Sequence, residues 1–165
     1  MGHHPRATPD VVVLPSSTAE TAKIVRLCYE RRVPVVTRGA GTGLEGGCVP
    51  YDGGLVLDTS LLKTTRMVPG EQLAVVGAGV LKNELDAFLK PHGLLFGPDP
   101  SSNPSIGGMA STGGSGMSTL KYGTSKENVR SMTVVTPSGR VIQTRRAVRK
   151  SSTGYELNAL YLGAE

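Results

Sequence analysis

Tryptophan is absent from this chain, and two phenylalanines with five tyrosines bring the aromatic share to only 4 %. Aliphatic side chains must therefore build the core. Long apolar runs are missing too: none approaches the roughly 18–20 residues needed to span a bilayer, so no transmembrane segment is expected. No apolar region follows Met1-Gly-His-His-Pro5, so no signal peptide is expected there. This start, residues 1–8, reads as a tag remnant or a flexible terminus rather than as a metal-binding histidine pair. Cysteine is scarce. Cys28 and Cys48 make no disulfide framework, and reduced thiols in an intracellular compartment follow.

The net charge of +5 is local. Five of the 18 basic residues, Arg140, Arg145, Arg146, Arg149 and Lys150, fall in one acid-free stretch, and the other 13 balance the 13 acids. That stretch has no interleaved aromatics and belongs to no recognisable nucleic-acid module. A solvated loop, or a patch facing another part of the protein, is the better reading, and no nucleic-acid partner is expected.

What the chain has in excess is glycine, 22 residues, with 11 prolines beside them. Five of the ten residues in Arg38-Gly-Ala-Gly-Thr-Gly-Leu-Glu-Gly-Gly47 are glycine. Such a run has few side chains to pack, and ordering costs about 1–2 kcal/mol per residue. Something outside the loop must hold it. Closely spaced N–H groups facing a phosphate serve that purpose; a flexible surface loop is the alternative. Gly41-Thr-Gly-Leu-Glu-Gly46 matches G-x-G-x-x-G, but the chain continues Gly47-Cys-Val-Pro-Tyr-Asp-Gly-Gly54, which cannot propagate a helix. The loop reads as phosphate-binding without being a Rossmann turn.

The flanking pattern is β-α-β. Val11–Leu14 reads as a short buried strand. Ser17 or Thr18 caps a helix to about Arg32, with Ile24, Val25, Leu27 and Cys28 on its apolar face. Val33–Thr37 is the next strand, parallel to the first, and Leu55–Leu57 a third. Strands at Thr64–Val68 and Leu73–Gly77 flank Pro69-Gly70, and Val80–His92 is a second amphipathic helix stopped by Gly93. A hairpin follows at Ser131–Thr136 and Arg140–Thr144. Leu157–Leu162 resembles a last short strand or turn. Between Leu94 and Gly123 lies a long Gly/Ser-rich passage, in which Ser105 caps a short helix starting at Ile106. The free N–H groups of Gly107 and Gly108 there make a second place for an anion. One large ligand touching both glycine regions explains them together.

These residues carry a resemblance. Pro9-Asp10-Val-Val with Pro15 and Thr18, Arg38–Gly47, Gly77-Ala-Gly-Val80, Pro98-Asp-Pro100, Ser105–Gly116, Tyr122-Gly-Thr124, Asn128-Val129 and Gly163-Ala-Glu165 occur in the order found in PCMH-type FAD-binding domains of the vanillyl-alcohol-oxidase superfamily. The chain most resembles the branch of cytochrome-linked D-lactate dehydrogenases and glycolate-oxidase D-subunits. The resemblance implies an α+β fold with residues 9–165 forming two α/β lobes, about 9–62 and 63–165, and FAD between them. It implies that the backbone of Arg38, Gly39, Ala40, Gly41, Thr42 and Gly43, with Leu44 and Gly46, contacts the pyrophosphate. Pro98, Asp99, Ser105, Ile106, Gly108, Ser111, Thr112 and Ser115 then line the flavin and ribityl chain, with Val80 nearby and Tyr122 and Gly123 closing the site. On the residues alone, Val80, Ile106 and Met109 read equally well as core, and Asp99 as a turn residue.

Covalent members of the superfamily often carry histidine where Thr42 stands, so FAD is expected to be non-covalent; His92 reads as a helix-end residue. The implied reaction is oxidation of a D-2-hydroxy acid, D-lactate or glycolate, to the 2-oxo acid, with cytochrome c or a quinone as electron acceptor. The family's catalytic groups belong to a C-terminal cap domain. The chain is therefore expected to be a C-terminally truncated fragment, inactive alone, with no catalytic or metal residue of its own. Other readings are a different branch (D-2-hydroxyglutarate dehydrogenase, alkyl-dihydroxyacetone-phosphate synthase, sugar-lactone oxidase) or a non-enzymatic anion- or nucleic-acid-binding module. Mitochondrial placement comes only from the family; otherwise the expectation is cytoplasmic.

Overall fold

Ser17 starts the first helix as its side chain accepts a hydrogen bond from the Glu20 amide, and Glu20 adds a negative charge to the first turn. A computed structural model describes residues 4–148 and 150–165. In it α1 spans Thr18–Arg31 and ends at Arg32, which takes a left-handed conformation (φ 55°). The strands β1 (Val11–Val13), β2 (Val35–Arg38) and β3 (Leu55–Asp58) form one parallel sheet. Its order is β1-β3-β2. The expected parallel β-α-β unit is present, with the third strand inserted between the first two. Asp10 explains part of the opening motif, because its carboxylate accepts the Gly54 amide at 2.7 Å and aligns the start of β3 with β1.

Burial follows this order. Central β3 contributes Leu55, Val56 and Leu57, all under 8 % exposed. Leu55 and Leu57 pack with Cys28 of α1, and Val13, Ile24, Val25 and Val35 close the cluster. The expectation of a buried first strand fails: Val11, Val12 and Leu14 are about half exposed. β1 is an edge strand with a neighbour on one side only. Leu27 is likewise exposed, since a three-stranded sheet is too narrow to cover the whole apolar face of α1.

The next strands, β4 (Thr65–Met67) and β5 (Ala74–Val76), pair antiparallel. Helix α2 (Lys82–Leu89) continues into a 3-10 turn, Lys90–His92, and stops at left-handed Gly93. Val80, Leu85 and Leu89 form a second core cluster with Met67, Val76, Phe88 and Ile106 around it. The Gly/Ser passage contains α3 (Ile106–Ser111), α4 (Thr119–Tyr122) and α5 (Ser125–Asn128). The final hairpin, β6 (Thr133–Val135) with β7 (Val141–Gln143), turns at Gly139, which approaches Ala22 and Arg26 of α1.

Leu157–Tyr161 is helix α6, not the strand or turn expected. Its Asn158 is buried, bonded to the Thr144 hydroxyl and donating to the carbonyls of Arg130 (2.8 Å) and Val129 (3.2 Å). Tertiary hydrogen bonds hold this turn of helix where sequence periodicity is too short to declare it. Arg149 of the basic stretch, and His3 of the N-terminal pair, lie outside the described residues.

Candidate cofactor site

The two glycine regions meet. Gly39 follows β2 directly, and a methyl built on it lies 2.1 Å from the Ser105 hydroxyl oxygen. Ser105, itself 2 % exposed, is the N-cap of α3 and accepts from Gly108 N–H at 3.3 Å. Around this contact the backbone crosses itself with no room for side chains. A methyl on Gly79 meets the Thr59 carbonyl at 2.0 Å, and one on Gly107 meets Ala78 at 2.7 Å. The chain end joins the cluster: Gly163 and Glu165 donate to Ala110 and Ser111 carbonyls of α3 at 3.0 and 3.1 Å. The Glu165 carboxylate reaches Gly47.

Hydrogen-bond accounting separates the two regions. Among the described residues, no backbone N–H from Gly39 to Cys48 has a protein acceptor. Gly41 (φ 68°) and Gly46 (φ 84°) are left-handed, and such reversals gather successive amides into an anion-binding hollow. Gly43 has open space where its side chain would be. Arg38 folds its guanidinium over Gly41 and pairs with Asp58 at 3.1 Å, bringing positive charge to the loop. Burial pushes the Asp58 carboxyl up, but hydrogen bonds from Ser60 and from Arg38, with the Arg38 charge, hold it below its ordinary value. Unpaired amides, absent side chains and a nearby cation fit the diphosphate of FAD.

The α3 terminus does not offer the free amides expected of it. Ile106 donates to Val80 (2.8 Å), Gly107 to Ala78 (2.9 Å), and Gly108 to its own cap. Those glycines let two backbones touch; their N–H groups are already engaged. Val80 and Met109 are core at 2 % exposure, and Ile106 packs against Val80. Gly108 is half-buried, whereas Ser111, Thr112 and Ser115 are exposed.

Pro98, Asp99, Tyr122 and Gly123 gather at another place. Pro98 is fully buried, and Asp99 accepts from Ser118 N–H (2.6 Å) and hydroxyl (2.7 Å), which lowers its pKa. Asp99 therefore ties its segment to Ser118, 19 positions on, rather than stabilising a local turn between the prolines. Asp99 and Tyr122 line a hollow of about 490 Å³ together with Lys82, Asp86, Lys90 and Phe96. Lys82 is buried in its wall and paired with Asp86. Loop residues 38–47 do not border this hollow.

Of the loop's other partners, Glu165 belongs to the terminal Gly163-Ala-Glu165 motif, whereas Tyr51 carries no motif, and His4, expected to be part of a tag remnant or flexible terminus, is instead tied to the loop and to Tyr51. Among the described residues no group of three or more His, Cys, Asp and Glu can hold a metal ion. Nor is any helix long and apolar enough to cross a membrane.

Known proteins resemble this chain over most of its length. The model of an FAD binding domain matches residues 9–145. The mitochondrial cytochrome D-lactate dehydrogenase of Arabidopsis thaliana is 41 % identical over 158 residues, covering 95 % of this chain and 28 % of that protein. The glycolate oxidase subunit GlcD of Bacillus subtilis is 37 % identical over 163 residues, 97 % of this chain and 35 % of that protein. This chain thus spans about three tenths of the length of these relatives. Among solved structures, an alkyldihydroxyacetonephosphate synthase superposes with a TM-score of 0.80 at 26 % identity, over 93 % of this chain and 30 % of that one. A nicotine oxidase of Arthrobacter nicotinovorans, acting on the 6-hydroxy-D form, gives 0.76 at 29 % identity, over 90 % and 32 %. With the loop, the α+β lobes and the matched span in agreement, the chain belongs to the FAD binding domain family, in the PCMH-type fold of the vanillyl-alcohol-oxidase flavoproteins.

Proposed function

We propose that this chain is the cofactor-holding domain of a dehydrogenase that oxidises a D-2-hydroxy acid, of D-lactate or glycolate type, to its 2-oxo acid. One observation carries the reading: a glycine loop with unpaired amides from Gly39 to Cys48, in a chain about 40 % identical to D-lactate dehydrogenases. FAD, when bound, supplies the two-electron acceptor for the hydroxy acid's α-carbon.

The residues of this chain bind and orient. The amides of Gly39, Ala40, Gly41, Thr42, Gly43, Leu44 and Gly46 hold the diphosphate, and the Arg38 guanidinium offsets part of its charge. Ser105, Ile106 and Val80 support the loop from behind, through the Gly39 contact and the core. Exposed Ser111 and Thr112 at the end of α3, half-buried Gly108 within it and exposed Ser115 just beyond it face the ribityl side, and Pro98–Asp99 with Tyr122–Gly123 forms the flanking wall. No residue of this chain takes the role of catalytic acid or base. Thr42 cannot form the histidyl linkage, so the cofactor is held without a covalent bond. Relatives named cytochrome and mitochondrial support a cytochrome acceptor and a mitochondrial setting.

Two measurements test this. After denaturation, yellow colour should pass into the supernatant; colour retained in the precipitate refutes non-covalent binding. In an intact protein carrying this domain, D-lactate or glycolate should bleach the visible flavin band without oxygen. Persistence of the band with every 2-hydroxy acid tried refutes the substrate class.

A further inference from the structure

The glycine loop is tied to the rest of the protein at very few points. Gly39 and Gly47 make packing contacts with Ser105 and Glu165. Among the described residues, one hydrogen bond reaches Gly39–Cys48 from a distant part of the chain: that between His4 Nε2 and the Leu44 carbonyl, at 2.5 Å. A carbonyl only accepts, so Nε2 carries the hydrogen. Nδ1 of the neutral ring then accepts from the Tyr51 hydroxyl, 3.2 Å away. A methyl on Gly46 would meet Tyr51 Oη at 2.8 Å and His4 Nδ1 at 2.9 Å, so both side chains press on that glycine.

This contact has a directional consequence. No peptide bond here is cis, and in a trans peptide the C=O and the following N–H point opposite ways. Drawing the Leu44 oxygen toward His4 turns the Glu45 amide to the other side of the loop. We propose that His4 is a positioning residue for the FAD loop, holding Gly43–Gly46 in its anion-receiving conformation before the cofactor arrives. The proposal rests on the reading that this loop takes the diphosphate. Fixing a glycine-rich segment in advance removes part of the ordering cost of binding.

The test is titration of FAD into the flavin-free chain, followed by flavin fluorescence, with thermal melting of each flavin-free protein alongside. His4→Ala should weaken FAD binding roughly two- to tenfold, the range of one net hydrogen bond, and leave the melting temperature unchanged. His4→Gln, whose amide N–H can donate to Leu44, should recover part of the affinity. Tyr51→Phe, which keeps the Leu44 bond, should lose less than His4→Ala. Wild-type affinity in His4→Ala overturns the proposal, as does a melting loss that parallels the affinity loss. If the wild-type chain takes up no FAD, the loop reading falls and the proposal with it; if only His4→Ala matches wild type, the proposal alone falls.

Discussion

Replacing Gly39 with alanine tests whether the two glycine regions touch as described. The added methyl would lie 2.1 Å from Ser105 Oγ and 3.1 Å from Ser105 Cβ, and contacts under 3.0 Å essentially never occur. About 1 Å of separation must be found. One way out rotates the Ser105 side chain and forfeits the α3 cap, at about 0.5–2 kcal/mol. The other pushes the loop away from a residue that is 2 % exposed, an overpacking cost of about 1–3 kcal/mol. Gly39 is not among the left-handed glycines, so alanine adds no backbone strain. Its smaller freedom in the unfolded chain offsets about 0.4–1 kcal/mol. The net loss is then between about 0 and 2 kcal/mol, read as a fall of at most about 8 °C in melting temperature for a chain of this size. Ser105→Gly removes both opposing atoms, so the double variant should show a coupling near 1 kcal/mol against the two single changes. A strictly additive double variant would refute the contact.

Gly43→Ala is the counterpart: nothing lies within 4 Å of the added methyl. Its flavin-free melting temperature should be unchanged or slightly raised, while FAD retention in gel filtration drops; unaltered retention would remove Gly43 from the diphosphate seat. Acid should weaken the small lobe through Asp58. A carboxyl whose folded pKa is lowered contributes stability above its unfolded value, near 4, and loses it as pH falls through the folded value. The stability gap between wild type and Asp58→Asn in urea should therefore be wider at about pH 7 than at about pH 3, and a constant gap would contradict that assignment. Asp99→Asn should lower the flavin-free melting temperature, because Asp99 receives two bonds from Ser118. An effect on FAD alone would argue that the carboxylate serves the cofactor instead.

Local chemistry made the readable part readable. The caps at Ser17 or Thr18, resolved as Ser17, and at Ser105 are legible because an N-cap needs only its own helix. The failed Rossmann reading was visible because Pro50 and the glycines after Gly46 cannot continue a helix. The rest depended on neighbours far along the chain. Gly107 looked like a free amide donor until Ala78 supplied its acceptor. Val11 and Val12 looked buried because a valine run does not reveal whether its strand is central or at an edge. Leu157–Tyr161 offered too few residues to distinguish a helical from a strand period, and Asn158 decided it through Arg130 and Val129. The grip of His4 on Leu44 spans 40 positions and leaves no trace in local composition.

The insertion of β3 between β1 and β2 has a consequence for the order of assembly during synthesis. The first two strands pair only with the third, so a nascent chain that has emerged through Arg38 possesses two ribbons and nothing to join them. The sheet can zip only after residues 39–58 have left the ribosome and β3 has folded back, and the cofactor-holding segment is part of the tether whose closure gates that event. Lengthening or stiffening this tether should change how fast the newborn domain matures as well as how firmly it keeps its flavin.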